Sequence, residues 1–210
     1  SGMLSQKASE SDISLNESIL SYLIHEGLLS EETYAVFHPS VANRLDRNTS
    51  GIVLAGKTLA GQQFLSDILR DRSAKKIYHC IVRGKVEEEM HLKGYLLKDE
   101  RSNQVQIFSD ETQDAKPIET AYRPLVVGPD ATLLEVHLIT GRSHQIRAHL
   151  ASIGHPIAGD PKYGDMVWNK KLRQDFSVRS QLLHAYSITL PDGRTFIADE
   201  PEIFSQIMRG

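Results

Sequence analysis

Five runs dense in apolar and β-branched residues, separated by acidic or Gly/Pro turns, alternate irregularly with a few self-capped helical stretches. This pattern predicts an α+β fold on a mixed or antiparallel sheet. Two further observations support it. Regular strand–helix–strand alternation is missing, which argues against a doubly wound parallel sheet, and two short runs near the C terminus flank Pro191-Asp192-Gly193 as a hairpin would.

The elements follow in order. Residues 1–13 are polar and without periodicity. Ser14-Leu15-Asn16-Glu17 has the Ser-x-x-Glu form of a capping box. Leu15, Ile19, Tyr22 and Leu23 then keep helical spacing to about His25. Residues 27–42 read as a connector and residues 52–56 as a buried strand. Thr58 is placed to cap a helix ending near Arg70, with Leu59, Phe64, Leu65, Ile68 and Leu69 facing inward. Residues 76–83 predict a strand through Ile77, Tyr78, Cys80, Ile81 and Val82. Residues 90–97, 104–108, 118–127 and 132–140 predict four more. Gly141-Arg142-Ser143 supplies a turn and a cap for a helix from about His144 to Ile153, which Gly154 and Pro156 stop. Residues 159–164 form a loop, residues 166–174 a short helix, and residues 182–190 and 194–198 the hairpin. Pro201 opens a last helix.

A chain of 210 residues with 40% hydrophobic and 24% charged residues can bury a sizeable core in one large domain or two small ones. No apolar run approaches the roughly 18 residues of a membrane span, and the N terminus lacks the layout of a secretory signal. A lone cysteine, Cys80, forms no internal disulfide, which suits a reducing, cytoplasmic setting. The net charge of −3 hides an asymmetry: residues 43–85 hold nine Lys/Arg against three acids. Such a basic face on an acidic body fits a phosphate backbone, although a solvated helix face with scattered lysines gives the same count.

Four constellations carry chemistry. In Asn43-Arg44-Leu45-Asp46-Arg47-Asn48-Thr49-Ser50-Gly51 a carboxylate sits between two arginines, an arrangement that suits a nucleophile or general base. Arg-x-Asp pairs are also common on surfaces and contribute little there. Lys75-Lys76-Ile77-Tyr78 places two cations before a strand tyrosine, a residue that more often packs than reacts. Thr140-Gly141-Arg142-Ser143-His144-Gln145-Ile146-Arg147-Ala148-His149 runs a turn into a helix start where N–H groups and two arginines can hold an anion. His144 and His149 are five apart and diverge on a helix, so they do not predict a metal site. Gly154-His155-Pro156-Ile157-Ala158-Gly159-Asp160-Pro161-Lys162-Tyr163-Gly164 is a closely specified loop. Neither a phosphate loop, a dinucleotide fingerprint nor a nucleophile elbow occurs in the sequence.

Taken in order, these segments resemble the RluA-type pseudouridine synthases over roughly residues 40–205. Residues 43–51 are similar to the family's His-Arg-Leu-Asp-x-x-Thr-Ser-Gly motif, with Asn43 in place of the usual histidine. Residues 76–84 resemble its Lys-x-Tyr strand. Residues 141–149 and 154–164 resemble its Gly-Arg-Thr/Ser-His-Gln-Ile/Leu-Arg block and its Gly-His-Pro-Ile loop. Leu182-Leu183-His184-Ala185 resembles its late Leu-Leu-His-Ala strand. The resemblance implies a mixed, largely antiparallel sheet with flanking helices and a central catalytic cleft. It also implies that residues 1–210 are a catalytic domain lacking its first strand and any upstream RNA-binding module, with Ser1-Gly2-Met3 as the tail of that strand or a tag scar.

By the same resemblance Asp46 is the catalytic aspartate, Tyr78 the aromatic packed on the target base, and Arg147 the partner that fixes Asp46. Arg44 helps displace the target uridine. Arg47, Thr49, Lys75, Lys76, Arg142, His144 and Gln145 complete the expected RNA contacts. The implied reaction breaks the bond from ribose C1′ to uracil N1, turns the base and rejoins it through C5, with no cofactor and no metal. Asp46 either attacks C1′ or removes a proton from C2′ to give a glycal. The implied partner is RNA, large-subunit rRNA first and tRNA second. Two other readings stay open: a non-catalytic RNA-binding relative and, more remotely, a metal-dependent hydrolase.

Overall fold

The strand β2 (Lys75–Arg83) is buried on both faces from Ile77 to Val82, so it lies in the middle of the sheet. The structure, a computed structural model, describes Gly2 and residues 13–209. Most of the polar N-terminal run, and the suggested strand tail at Ser1-Gly2-Met3 apart from Gly2, lie outside the described residues. Antiparallel partners flank β2: β6 (Ala131–Leu138) on one side and β7 (Leu183–Thr189) on the other. Beyond β6 come β5 (Lys116–Val127), β3 (Met90–Asp99) and β4 (Gln104–Phe108), all antiparallel. The outer edge of β7 is shared by β1 (Ser50–Gly51), the one parallel pairing among the described residues, and by β8 (Thr195–Ile197). This eight-stranded sheet is mixed and largely antiparallel, as the sequence predicts.

The helices are α1 (Leu15–His25), α2 (Glu31–Val36), α3 (Leu59–Arg70), α4 (Gln145–Ser152), α5 (Met166–Phe176) and α6 (Ile203–Arg209). Each face of β2 has its own core. Tyr78, Cys80 and Val82 pack with Leu134, Val136 and the α4 residues Ile146 and Leu150. Ile81 points the other way, to Leu133, Leu172 of α5, and Phe204 and Ile207 of α6. Each fully buried aliphatic or aromatic side chain contributes about 1.5–3 kcal/mol. The alternation of β2 therefore fixes α4 on one face and α5 and α6 on the other.

Several local expectations are corrected. The connector at residues 27–42 contains α2, started by Ser30, whose hydroxyl accepts from the Thr33 N–H. Residues 52–56 do not continue as a strand. The Asn43 amide takes the Ile52 carbonyl (3.2 Å) and the Leu54 N–H (2.6 Å), so those backbone groups are satisfied by a side chain rather than a sheet neighbour. Leu59 and Phe64 of α3 are exposed, because only a narrow stripe, Leu65, Ile68 and Leu69, meets Ala74, Ile188 and Leu190. Ser143 does not cap α4; His144 does, in the left-handed conformation (φ 54°). The strand at residues 132–140 ends at Leu138, and α5 runs on to Phe176.

One glycine is required at the site's edge. Gly51 has φ 110°, and a Cβ there would lie 2.2 Å from the Ala185 carbonyl oxygen, so only glycine lets β1 reach β7.

Candidate active site

A cleft of about 870 Å³ opens over residues 42–46 of the Asp46 loop, the start of β2 and the first turn of α4. Seven Lys/Arg side chains line it: Arg44, Arg70, Arg72, Lys76, Lys98, Arg142 and Arg147. Asp46 is the one acid among the lining residues. The chain's net charge of −3 is thus reversed locally, and the cleft attracts anions.

The loop bearing Asp46 is held by buried polar bonds. Its backbone turns back at Asp46 C=O to Thr49 N–H (2.9 Å), with Asn48 left-handed at φ 72°. The Gln181 amide donates to the Arg47 carbonyl (2.7 Å) and to the Thr49 hydroxyl (3.3 Å). On the entry side, Asn43 clamps the loop to Ile52 and Leu54, and the Ala42 N–H adds a bond to the Leu54 carbonyl at 2.7 Å. The Asp46 side chain remains 23% exposed, open to the cleft but anchored at both ends.

Arg147 comes from α4 and is 95% withdrawn from solvent. Its Nη1 donates to Asp46 Oδ2 at 3.0 Å. Its other edge is occupied by Asp160, which accepts from Nε (2.7 Å) and Nη2 (2.9 Å). Asp160 is fully buried and also accepts from the N–H groups of Lys162 (2.8 Å) and Tyr163 (3.2 Å). Burial pushes the Asp160 carboxyl up, but the Arg147 bonds and charge and the two N–H donors outweigh this and hold it below its ordinary range. Burial likewise disfavours the charged guanidinium, and the two carboxylates more than restore it. The Tyr163 ring lies 5.3 Å from the guanidinium carbon and completes its seat.

Tyr78 reaches the same cleft from β2, where the pairing with β7 slips between Ile77 and Tyr78. Such a bulge re-aims the side chain that follows it. Burial pushes the Tyr78 phenol well above its ordinary pKa and the nearby Asp46 carboxylate adds to this, so it stays protonated.

The structure thus gathers Asp46, Tyr78 and Arg147 on one cleft, with Arg44, Lys76, Arg142 and His144 on its walls. Burial lowers the pKa of the Lys76 ammonium and Arg72 adds to this. The other expected contacts divide. Arg47 and Lys75 are exposed and do not line the cleft. Thr49 is 7% exposed at the cleft's edge, and its hydroxyl oxygen accepts from Gln181. Gln145 borders the cleft, and its amide braces the fold internally. Its oxygen accepts from the Thr140 hydroxyl and the Arg142 N–H, and its nitrogen donates to the Glu119 carbonyl and the Thr120 hydroxyl. No bonding capacity is left for a ligand.

Sequence reasoning missed Asp160, Tyr163, Gln181 and Lys98. The Gly-Asp-Pro-Lys-Tyr-Gly loop was the available signal for the first two, since a closely specified loop has a geometric task. Gln181 and Lys98 carried no local signal. Among the described residues no cluster of three His, Cys, Asp or Glu has metal-binding geometry, and no helix is long and apolar enough to cross a membrane.

Comparisons with known proteins place the chain in a family. The sequence model of the family "RNA pseudouridylate synthase" matches residues 1–152. A ribosomal large subunit pseudouridine synthase C from Haemophilus ducreyi is 37% identical over 177 residues, 84% of this chain and 54% of the relative. A tRNA pseudouridine synthase C from Vibrio cholerae is 36% identical over 159 residues, 70% of this chain and 65% of that protein. The chain therefore spans just over half to just under two thirds of these relatives. In structure, human RNA pseudouridylate synthase domain containing 4 aligns with a TM-score of 0.75 over 99% of this chain and 85% of that one, at 20% identity. The same fold recurs in human RNA pseudouridylate synthase domain containing 1, with a TM-score of 0.67 over 80% of this chain and 71% of that one, at 22% identity. A carboxylate braced by a buried arginine in a cation-lined cleft, on this sheet and within these matches, leaves one assignment: the chain belongs to the RNA pseudouridylate synthase family.

Proposed function

We propose that the protein isomerises uridine to pseudouridine in RNA, with large-subunit rRNA as the first substrate class and tRNA as the second. One observation carries the reading: Asp46 is the sole acid in a cleft lined by seven cations, and Arg147 aims it. A glycosidase works with two carboxylates and a water. A single carboxylate beside a buried tyrosine suits a reaction that detaches a base and takes it back. The unstacked uridine costs about a few kcal/mol to extrude, and stacking on the Tyr78 ring returns about 1–3 kcal/mol. Arg44, Arg70, Arg72, Lys76, Lys98 and Arg142 meet the phosphates around it. The cytoplasm, where such RNA is made and matured in bacteria, is the corresponding location.

The test is to incubate the protein with unmodified large-subunit rRNA and tRNA and to map pseudouridine chemically. Wild type forms it at a defined uridine, and Asp46→Asn forms none while still binding RNA. Product from neither RNA, with Asp46→Asn and wild type alike in every readout, sinks the enzyme reading and leaves an RNA-binding relative.

A further inference from the structure

We propose that His144 touches the reacting nucleoside, holding a neutral Nε2–H toward the uracil as a hydrogen-bond donor. This rests on the isomerase reading above.

Three observations converge on it. His144 lines the cleft with Asp46, Tyr78 and Arg147, and its backbone is left-handed (φ 54°). A non-glycine residue held there marks a position over-determined by its surroundings. Second, the ring is oriented. Nδ1 lies 2.9 Å from the Tyr163 hydroxyl, which itself accepts from the Val105 N–H at 2.9 Å. With the Val105 N–H on one lone pair, the phenol proton finds its acceptor among the described residues at Nδ1. Nδ1 is then an acceptor, and the imidazole proton sits on Nε2. Third, Nε2 has no partner among the described residues, although the half-buried ring edge borders the cleft. The ring stays neutral at physiological pH. Burial lowers its pKa, Asp46 opposes, Arg147 and Lys162 reinforce, and Asp160 opposes.

The chemistry needs such a group. When the C1′–N1 bond breaks, its electron pair passes to uracil and spreads over N1, O2 and O4. A neutral donor binds that charge more strongly than the starting base and keeps its own proton, so the detached base returns unprotonated at oxygen. An imidazolium in its place would pair with Asp46 instead.

The experiment separates contact from packing. His144→Asn favours the left-handed backbone and keeps an acceptor near Tyr163, but has nothing at the Nε2 position. His144→Gln places an amide N–H near that position and gives up the Tyr163 bond. Single-turnover rates on the RNA that wild type modifies should fall about 10–100-fold for Asn. His144→Gln should recover at least about tenfold of that loss, with RNA affinity alike in all three. Tyr163→Phe, which frees the imidazole proton to move to Nδ1, should slow the reaction severalfold without weakening RNA binding. His144→Asn at the wild-type rate, Gln slower than Asn, or Tyr163→Phe at the wild-type rate each overturns the assignment of His144 and leaves the isomerase reading standing. A wild-type protein that forms no pseudouridine overturns both.

Discussion

Replacing Asp160 by Asn should destabilise the protein more than any change in the exposed cations of the cleft. The carboxylate is fully buried and holds Arg147 by two charge-assisted bonds of 2.7 and 2.9 Å. Removing one member of a buried pair strands the other charge, at about 3–5 kcal/mol. An asparagine oxygen keeps one acceptor, while its N–H₂ would confront the Arg147 or backbone donors, so the low end, about 3 kcal/mol, applies. For a chain of this size that lowers Tm by about 6–12 °C. The sign with pH follows from the depressed Asp160 pKa. The ionised carboxylate contributes its stability above the ordinary value of 3.8 and loses it as pH falls through the still lower folded value. The gap between wild type and variant should be constant from pH 7 to about 5 and narrow only in stronger acid. Activity should fall as well. Arg147 would keep its Asp46 bond, the Tyr163 face and at most one of its two bonds to residue 160, and loosening a positioned group by about 1 Å costs on the order of 100-fold. Thermal unfolding across pH, beside single-turnover rates, reads both effects. A variant within about 2 °C of wild type at pH 7 would refute the buried-pair argument.

His149 gives a second pH effect, of the same sign in a different window. Burial lowers its pKa to about 4, so the folded ring is neutral while the unfolded chain takes up a proton below about 6.5. Stability should therefore fall by about 2 kcal/mol between pH 7 and 5, and urea midpoints of His149→Gln should fall less; parallel declines would exclude the cause. Asn43→Ala should cost about 2 kcal/mol and slow catalysis, because it releases the Ile52 carbonyl and the Leu54 N–H together. Asn43→His, which also offers one donor and one acceptor, should lose less in the same unfolding and rate measurements, and equal losses would count against a clamp.

What the sequence disclosed depended on whether its physics was local. Strands β2 to β6 and helices α1 and α3 announce themselves through periodicity and caps that need only their own residues, as with Thr58 accepting from Gly61 in α3. The short β1 does not, because two residues paired to Ala185 and its neighbour leave no periodic trace. The bracing role of Gln145 was hidden for a related reason. A glutamine beside two arginines and a histidine reads as a surface ligand, and only the fold brings Thr140, Thr120 and the Glu119 carbonyl to consume its amide.

Asn43 and Asp160 show what the motifs are for. Asp46 is the proposed reacting group, yet it contributes little to its own position. Three distant groups supply that: Asn43 across nine residues to Ile52, Gln181 across 134 to Arg47, and Arg147 across 101 to Asp46 itself. Arg147 in turn is aimed by Asp160, so the cleft carboxylate is oriented by another that is fully buried. The cations that line the cleft are held differently. Among the described residues Arg44, Arg72 and Arg142 make no ion pair and stand exposed. Preorganisation accelerates chemistry where charge develops at a fixed point, whereas a phosphate backbone is met at many points by mobile charges. The rigid bonds therefore sit behind Asp46 and the free cations in front of it. Mutations behind it should act on kcat, and those in front on RNA affinity and its salt dependence.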